Sequence, residues 1–301
     1  MEFDRNAPGK GIEVDCTLEN GKAMLTFRFC IRDLNEKALL SVTVTDAEGA
    51  VVLECLRREP EEEPLQAILL QPKLWEPQNP YLYRLEARLL QENGEMSDQI
   101  SRSLPLRSIR RSWKTELLLN EQIFSPKAVN YKLPHGHSKP EIQNRIHRDL
   151  KMLCELGADT LSCDARERQV LMPVCDKLGL LVWTETAQLT FRGGKSPLVD
   201  AFDRPTELFY RYKANWSSKP FVYIVPGSVK MMENGNYTAT VYSNCGRVAL
   251  YSDGVLFEFS SGETEFVFRD IPARHPCVML TAEAEGCRMS FSIHKGVDIS
   301  Y

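Results

Sequence analysis

Long apolar runs are absent from this chain of 301 residues. No stretch approaches the roughly 20 apolar residues that a membrane-spanning helix needs, and the first residues show no basic stretch followed by an apolar one, as a secretory leader would. Basic residues are not in excess either, because the net charge is −4 and the pI is near 5.9. A nucleic-acid-binding face requires such an excess. We therefore expect neither a membrane nor a nucleic acid as a partner.

The chain also lacks the usual sequence patterns of metal sites and disulfide frameworks. Its nine cysteines are odd in number and scattered, without a Cys-x-x-Cys pair or a Cys/His cluster with zinc spacing. We expect reduced thiols, no cofactor and a cytoplasmic location. His135 and His137 have the spacing of a metal-binding pair on a loop. No third ligand lies nearby in sequence, so a polar loop is the preferred interpretation.

Alternating apolar and polar residues dominate both ends of the chain. In residues 1–110, short alternating stretches are separated by Asn-Gly and Glu-Gly turns, which predicts an antiparallel β-sandwich of immunoglobulin-like type without the disulfide and tryptophan of that fold's core. Residues 221–301 return to the same pattern and predict a second immunoglobulin-like sandwich. A short basic cluster, Arg107 with Arg110 and Arg111, predicts a salt-bridge network at the end of the first domain.

The middle region, residues 111–220, has the pattern of βαβ units. A short hairpin is followed by three apolar stretches that predict parallel strands, at residues 128–131, 158–163 and 180–183. A helix begins near Pro140 and ends at Gly157, and a second helix ends at Gly179, because glycine is the common residue after a helix C-terminus. The glycines that follow, Gly193 and Gly194, predict a flexible bridge.

Several stretches resemble glycoside hydrolase family 2, the β-galactosidases and β-glucuronidases. Residues 74–85, LWEPQNPYLYRL, resemble the W-x-P-x-x-P-x-L-Y-x-L signature that ends the family's immunoglobulin-like domain. Residues 175–185, CDKLGLLVWTE, resemble the family's third barrel strand and the carboxylate after it. Residues 198–205 and 208–216 resemble the loop and helix that close the barrel. The resemblance implies two immunoglobulin-like sandwiches that flank a (β/α) barrel.

The resemblance implies that the catalytic part of the barrel is missing from this chain. In the family, both catalytic glutamates lie between the segment that residues 175–185 resemble and the segment that residues 198–216 resemble. In this chain fewer than about 20 residues separate these two segments, which is the length of one βα unit at most. The family's acid/base glutamate follows an asparagine, and the Asn-Glu pairs of this chain are Asn35-Glu36 and Asn120-Glu121, both before the barrel strands. The resemblance therefore implies a truncated barrel without either glutamate. We expect a non-catalytic protein that binds carbohydrate or takes part in an assembly.

Two other functions stay open. An active glycosidase could use a rebuilt site with Glu185 and Asp164, which would end neighbouring parallel strands, where α/β sheets bind ligands. The second of these functions is that of a purely structural module for protein–protein interaction. If a sugar binds here, the expected contacts are Trp183, Glu185 and Arg192. An open sheet also leaves an apolar face uncovered, which either a second copy of the chain or the helix of residues 208–216 would cover.

Overall fold

The computed structural model describes residues 1–33, 37–59, 63–113, 116–136, 138–184, 187–194, 197–275 and 277–294. The chain forms two compact units. The first consists of Met1–Pro126 with Asp164–Thr184, and the second of Lys127–Cys163 with Glu185–Tyr301. No helix among these described residues is both long and apolar enough to cross a membrane.

Most of the chain is β-strand. The strands before the first helix are β1 (Glu2–Phe3), β2 (Ile12–Glu19), β3 (Lys22–Phe29), β4 (Ile31–Arg32), β5 (Ala38–Thr45), β6 (Val51–Glu59), β7 (Leu65–Leu70), β8 (Trp75–Glu76), β9 (Asn79–Pro80), β10 (Tyr83–Leu90), β11 (Met96–Leu104), β12 (Ile109–Arg111), β13 (Leu117–Leu119), β14 (Gln122–Ile123) and β15 (Ala128–Asn130). The remaining strands are β16 (Thr160–Ser162), β17 (Leu181–Trp183), β18 (Leu189–Arg192), β19 (Pro197–Val199), β20 (Val222–Ile224), β21 (Lys230–Met231), β22 (Tyr237–Ser243), β23 (Arg247–Ser252), β24 (Val255–Ser261), β25 (Glu265–Ile271), β26 (Cys277–Ala284) and β27 (Cys287–His294). The α-helices are α1 (Lys139–Leu156), α2 (Ala165–Leu178) and α3 (Glu207–Trp216), and short 3₁₀ turns lie at Pro8–Gly11 and Pro226–Ser228.

Two antiparallel sheets share one apolar core in the first unit. Their strand orders are β11-β10-β5-β6 and β2-β3-β7. Burial alternates along β5 and β10, as the sequence pattern predicts for strands with one solvated face. The shared core contains side chains from both sheets, among them Ile12, Leu25, Phe27, Leu40, Val42, Val44, Leu85 and Leu89. The predicted antiparallel strands of this region are confirmed.

Trp75 connects this sandwich to helix α2 within the first unit. Its side chain is fully buried, and its indole Nε1 donates a hydrogen bond to the backbone oxygen of Asp176 at 2.8 Å. The guanidinium of Arg107 lies 4.2 Å from the indole ring and donates to Asp176 Oδ1 at 2.8 Å. Close packing continues at Gly179, where a Cβ atom would lie 2.2 Å from the backbone oxygen of Pro77. The predicted salt-bridge network therefore includes a buried pair.

Four parallel strands form the sheet of the second unit, in the order β16-β15-β18-β19. Helix α1 begins after Ser138, whose hydroxyl accepts a hydrogen bond from the backbone N–H of Glu141, and ends at Gly157 in a left-handed conformation. Helix α3 contacts α1, β19 and β22, and buries Phe209 and Ala214. The sequence predicts that either this helix or a second copy of the chain covers the apolar face of the sheet. The helix packs against β19 and α1 of its own unit.

Two strands of this sheet differ from the sequence-based expectation. The predicted flexible bridge and the loop after it contain β18 and β19, which bury Leu189, Phe191, Leu198 and Val199. Gly193 and Gly194, which follow β18, both have positive φ angles, 71° and 79°, a conformation that glycine adopts without steric cost. Strands of three or four residues are too short to show an alternating pattern, so the sequence does not reveal them.

The rest of the second unit consists of two further antiparallel sheets. In one, β22 pairs with β20, β21 and β25, and in the other the order is β24-β23-β26-β27. Both contribute to one core of buried side chains, including Val241, Val248, Leu250, Phe266, Phe268, Val278 and Leu280. The alternating strands predicted for this region are confirmed, whereas the three-domain division at residues 110 and 220 stays a prediction.

Candidate functional site

Polar side chains lie at the carboxyl ends of the parallel strands, where α/β sheets place their ligands. Asn130 ends β15, and its side-chain amide pairs with the backbone of Ala187. Its Oδ1 accepts from the N–H of Ala187 at 2.8 Å, and its Nδ2 donates to the oxygen at 2.5 Å. Tyr131, the next residue, is buried, and Arg192 ends β18. The side chain of Asn130 therefore fixes the start of the segment that leads into β18.

A fully buried carboxylate faces these strand ends from helix α1. The side chain of Asp149 has no exposed surface, and its Oδ2 accepts a hydrogen bond from the hydroxyl of Tyr131 at 3.0 Å. Arg192 donates to Asp149 with two nitrogens, Nη2 to Oδ1 at 2.7 Å and Nη1 to Oδ2. Such bidentate pairing satisfies a buried carboxylate far better than a single contact does.

Arg192 contacts a second carboxylate, Asp203, in the loop before helix α3. Its Nε donates to Asp203 Oδ1 at 2.7 Å. Two arginines of helix α1 reach the same carboxylate, Arg148 through Nη2 at 2.7 Å and Arg145 through Nη2 at 3.3 Å. Three guanidinium groups therefore surround two carboxylates. The strand-end ion cluster consists of these five side chains: Arg145, Arg148, Arg192, Asp149 and Asp203.

Two groups of the strand-end ion cluster, Arg192 and Asp203, have pKa values shifted away from neutral pH. Partial burial alone would lower the pKa of Arg192, but hydrogen bonds and ion pairs with Asp149 and Asp203 outweigh burial and raise that pKa above its usual range. Burial likewise would raise the pKa of Asp203, but its arginine neighbours lower that pKa below the ordinary value. Neither group is poised to transfer a proton at neutral pH. The cluster is suited to holding a loop against a helix.

The sequence-predicted site residues lie in different surroundings. Arg192 is part of the strand-end ion cluster. Asp164 is exposed at the N-cap of α2, where its backbone oxygen accepts from the N–H groups of Glu167 and Arg168. Trp183 is half-buried at the end of β17. Glu185 lies outside the described residues, so the structure leaves the predicted pair with Asp164 and the predicted sugar contact untested.

The predicted metal pair also falls partly outside the described residues. His135 is exposed on the loop after β15, and His137 is not described. Within the part of the chain that the structure describes, no group of three or more His, Cys, Asp and Glu side chains is arranged to hold a metal ion. None of the nine cysteines, which all lie in the described ranges, forms a disulfide.

Sequence reasoning missed Asp149 and Asp203. A signal exists for Asp149, because it lies three residues after Ile146 and four before Leu153, on the buried stripe of α1. A charged residue on an apolar stripe is rarely buried without a partner. Asp203 gives no such signal, since an Asp in a surface loop is ordinary turn chemistry.

Asn120 and Glu121 form the turn between β13 and β14, and Asn120 anchors it. The side chain of Asn120 is buried, accepts from the backbone N–H of Ser108 at 3.1 Å and donates to the backbone oxygen of Trp75 at 3.0 Å. Glu121 forms an ion pair with Arg110. The two hydrogen bonds of Asn120 secure the hairpin to the antiparallel sheets of the first unit.

The fold is mostly β, with a few helices and a short parallel α/β segment. Residues 7–107 match the family model of Glycosyl hydrolases family 2. The chain is a relative of this family of β-galactosidases and β-glucuronidases.

Individual relatives show the same relationship. A β-galactosidase, BoGH2A, of Bacteroides ovatus is 26% identical over 162 residues, which are 51% of this chain and 19% of that protein. A β-galactosidase of Lactococcus lactis is 27% identical over 146 residues, 46% of this chain and 14% of that protein. The chain thus matches less than a quarter of the length of these relatives.

Solved structures share the fold at low identity. An FMN-binding β-glucuronidase from Facaelibacterium prausnitzii L2-6 has a TM-score of 0.80 at 14% identity, over 97% of this chain and 75% of that one. A β-glycosidase from Bacteroides vulgatus has a TM-score of 0.75 at 11% identity, over 96% of this chain and 64% of that one.

Proposed function

We propose that this chain is a non-catalytic relative of the family 2 glycosidases that binds carbohydrate or takes part in an assembly. The observation that carries the proposal is the strand-end ion cluster. Retaining glycosidases need two carboxyl groups about 5 Å apart that are free to act on the glycosidic bond. Here Asp149 and Asp203 both pair with Arg192, so neither is available as a nucleophile or an acid.

The strand order supports a barrel remnant between two immunoglobulin-like sandwiches. In a closed (β/α)₈ barrel, the first strand pairs with the second and with the last. Strand β15 pairs in parallel with β16 on one side and with β18 on the other, so β18 takes the place of a last strand. The parallel strands in the described residues number fewer than the eight of a closed barrel. On this proposal, the middle of the barrel is absent.

The position of the Asn-Glu pairs supports the loss of the acid/base glutamate. Asn35-Glu36 lies outside the described residues, and Asn120-Glu121 serves the hairpin of the first unit. Neither follows a parallel strand of the described sheet. The proposal includes a cytoplasmic location and a homodimer through the open edge of the sheet. Light scattering would test the dimer, and a strict monomer would remove it.

Turnover measurements test the central proposal. The purified chain is incubated with nitrophenyl β-galactoside and nitrophenyl β-glucuronide, and the Lactococcus lactis β-galactosidase serves as the positive control. We expect no turnover above the uncatalysed rate. Turnover that Glu185→Gln or Asp164→Asn abolishes, while the exposed control Glu233→Gln keeps it, would instead establish an active glycosidase with a rebuilt site.

A further inference from the structure

A cleft of about 680 Å³ lies wholly within the first unit. It is bordered by the turn between β2 and β3 and by the turn between β13 and β14. Both polar and apolar side chains line the cleft, among them Glu19, Met24, Leu74, Arg110 and Glu121. Ligand pockets for small molecules usually measure about 300–1,000 Å³, so the cleft has room for roughly two sugar rings.

The two turns at the cleft have the same backbone conformation but different sequences. Asn20 and Gly21 have φ angles of 49° and 74°, and Asn120 and Glu121 have φ angles of 51° and 68°. Two-residue hairpin turns with positive φ at both positions strongly prefer Asn-Gly, because glycine alone adopts this conformation without steric cost. The first turn follows this preference. The second has a glutamate where glycine would be more stable.

The side chain of Glu121 is not needed to hold its own turn. Asn120 already secures the turn through Ser108 and Trp75. The carboxylate of Glu121 instead pairs with Arg110 at the cleft, where both side chains stay partly exposed, 37% for Glu121 and 58% for Arg110. An unfavourable backbone conformation at such a position points to a role for the side chain itself.

We propose that this cleft is a binding site for a neutral saccharide of about two rings, with Glu121 and Arg110 as its hydrogen-bonding groups. This inference rests on the carbohydrate-binding arm of the proposed function. The carboxylate accepts from sugar hydroxyls and the guanidinium donates to them, while Met24 and Leu74 contact the apolar faces of the rings. Two carboxylates, Glu19 and Glu121, and one guanidinium line the cleft, and this excess of negative charge disfavours an acidic sugar.

Substitution of the strained residue gives a sharp test. Lactose is titrated into the wild-type chain and into Glu121→Gly by calorimetry, and the melting temperature of each is measured. We expect Glu121→Gly to melt at a higher temperature and yet to bind lactose about tenfold more weakly or worse. Arg110→Gln, which leaves the turn unchanged, should weaken binding as well. Digalacturonate should bind the wild type more weakly than lactose does.

A matched control lies in the second unit. Glu285 also has a positive φ, 46°, in a hairpin turn beside Gly286, so Glu285→Gly should raise the melting temperature without changing lactose affinity. If Glu121→Gly binds lactose as the wild type does, the sugar binds elsewhere; the cleft proposal fails and the carbohydrate-binding arm stands. If the wild type binds neither sugar, both fail and the assembly arm alone remains.

Discussion

Each unit contains a buried aspartate held by arginine, and the two arrangements differ in their balance of charge. In the first unit, Asp176 forms one ion pair, with Arg107, and its backbone oxygen accepts from Trp75. In the second unit, three arginines surround Asp149 and Asp203. Burial is the dominant effect on Asp176 and raises its pKa despite Arg107, whereas the arginines outweigh burial at Asp203 and lower its pKa.

The opposite pKa shifts of Asp176 and Asp203 indicate that the aspartate–arginine pairs of the two units stabilise the fold in different ways. At Asp176 the buried charge is a cost that Arg107 offsets only in part, because packing of the Trp75 segment on α2 keeps water away from the carboxylate. At the strand-end ion cluster the charges themselves hold the loop of Asp203 on α1. We therefore expect the first arrangement to be sensitive to loss of packing and the second to loss of a carboxylate.

The largest expected effect is that of Asp149→Ala. The substitution leaves the guanidinium of Arg192, whose side chain is 25% exposed, without its bidentate partner. Breaking a buried ion pair from one side typically costs about 3–5 kcal/mol, and we expect about 3 kcal/mol because Asp203 still pairs with Arg192. Urea unfolding measures the change. Glu155→Ala, at an exposed position of the same helix, is the control and should change stability by less than about 0.5 kcal/mol.

A smaller loss is expected from Trp75→Phe. Phenylalanine keeps a ring for Arg107 but removes the N–H that donates to the backbone oxygen of Asp176. An unsatisfied buried acceptor costs about 1–3 kcal/mol, and the smaller ring adds the cost of a small cavity. We expect a total loss of about 2 kcal/mol. Trp113, 89% exposed, supplies the control, since Trp113→Phe should leave the unfolding free energy nearly unchanged. Equal losses for the two variants would contradict the anchoring role of Trp75.

The acid side of the stability profile distinguishes the two aspartates directly. The lowered pKa of Asp203 adds stability above its ordinary value of 3.8 that is lost as the pH falls through the folded pKa. The raised pKa of Asp176 acts in the opposite sense, since its contribution is fully present below 3.8 and is lost as the pH rises through the folded pKa. Asp203→Asn should therefore flatten the decline of stability in acid, and Asp176→Asn should steepen it.

Urea unfolding between about pH 2 and pH 7 measures both slopes. The wild type and the exposed-site variant Glu155→Gln provide the reference profile. If Asp203→Asn and Asp176→Asn change the acid slope of the unfolding free energy in the same direction, the two aspartates have pKa shifts of the same sign. The contrast between the two units would then not hold.

Elements with a long pattern could be predicted from the sequence, and elements fixed by tertiary contacts could not. Helix α1 has an apolar stripe and a glycine end, and the structure places it at Lys139–Leu156 with Gly157 in the left-handed conformation. Strands β18 and β19 have only three or four residues, and their pairing with β15 defines them. Local sequence carries no record of such pairing.

The candidate site divides in the same way. The sequence predicts Arg192 as a sugar contact beside the glycine bridge, and Asp149 can be found from its position on the buried stripe of α1. Asp203 was out of reach, because its role depends on a loop folding back onto a helix more than 50 residues earlier, at Arg145 and Arg148. A sequence pattern reports the period of an element and says little about which loop covers its end.

The smallest expected effect tests whether the strand-end ion cluster has an arginine in excess. Arg148 is 55% exposed and shares Asp203 with Arg192 and Arg145. Because exposed ion pairs contribute about 0–1 kcal/mol and two arginines remain, we expect Arg148→Gln to cost no more than about 0.5 kcal/mol. Lys151→Gln, an exposed charge change on the same helix, provides the baseline. A loss above about 1 kcal/mol, coupled to Asp203 in a double-mutant cycle with Asp203→Asn, would mean that all three arginines are required. The strand-end ion cluster would then have no arginine in excess of those it needs, like the single Arg107–Asp176 pair. The two units would differ only in how deeply their aspartates are buried.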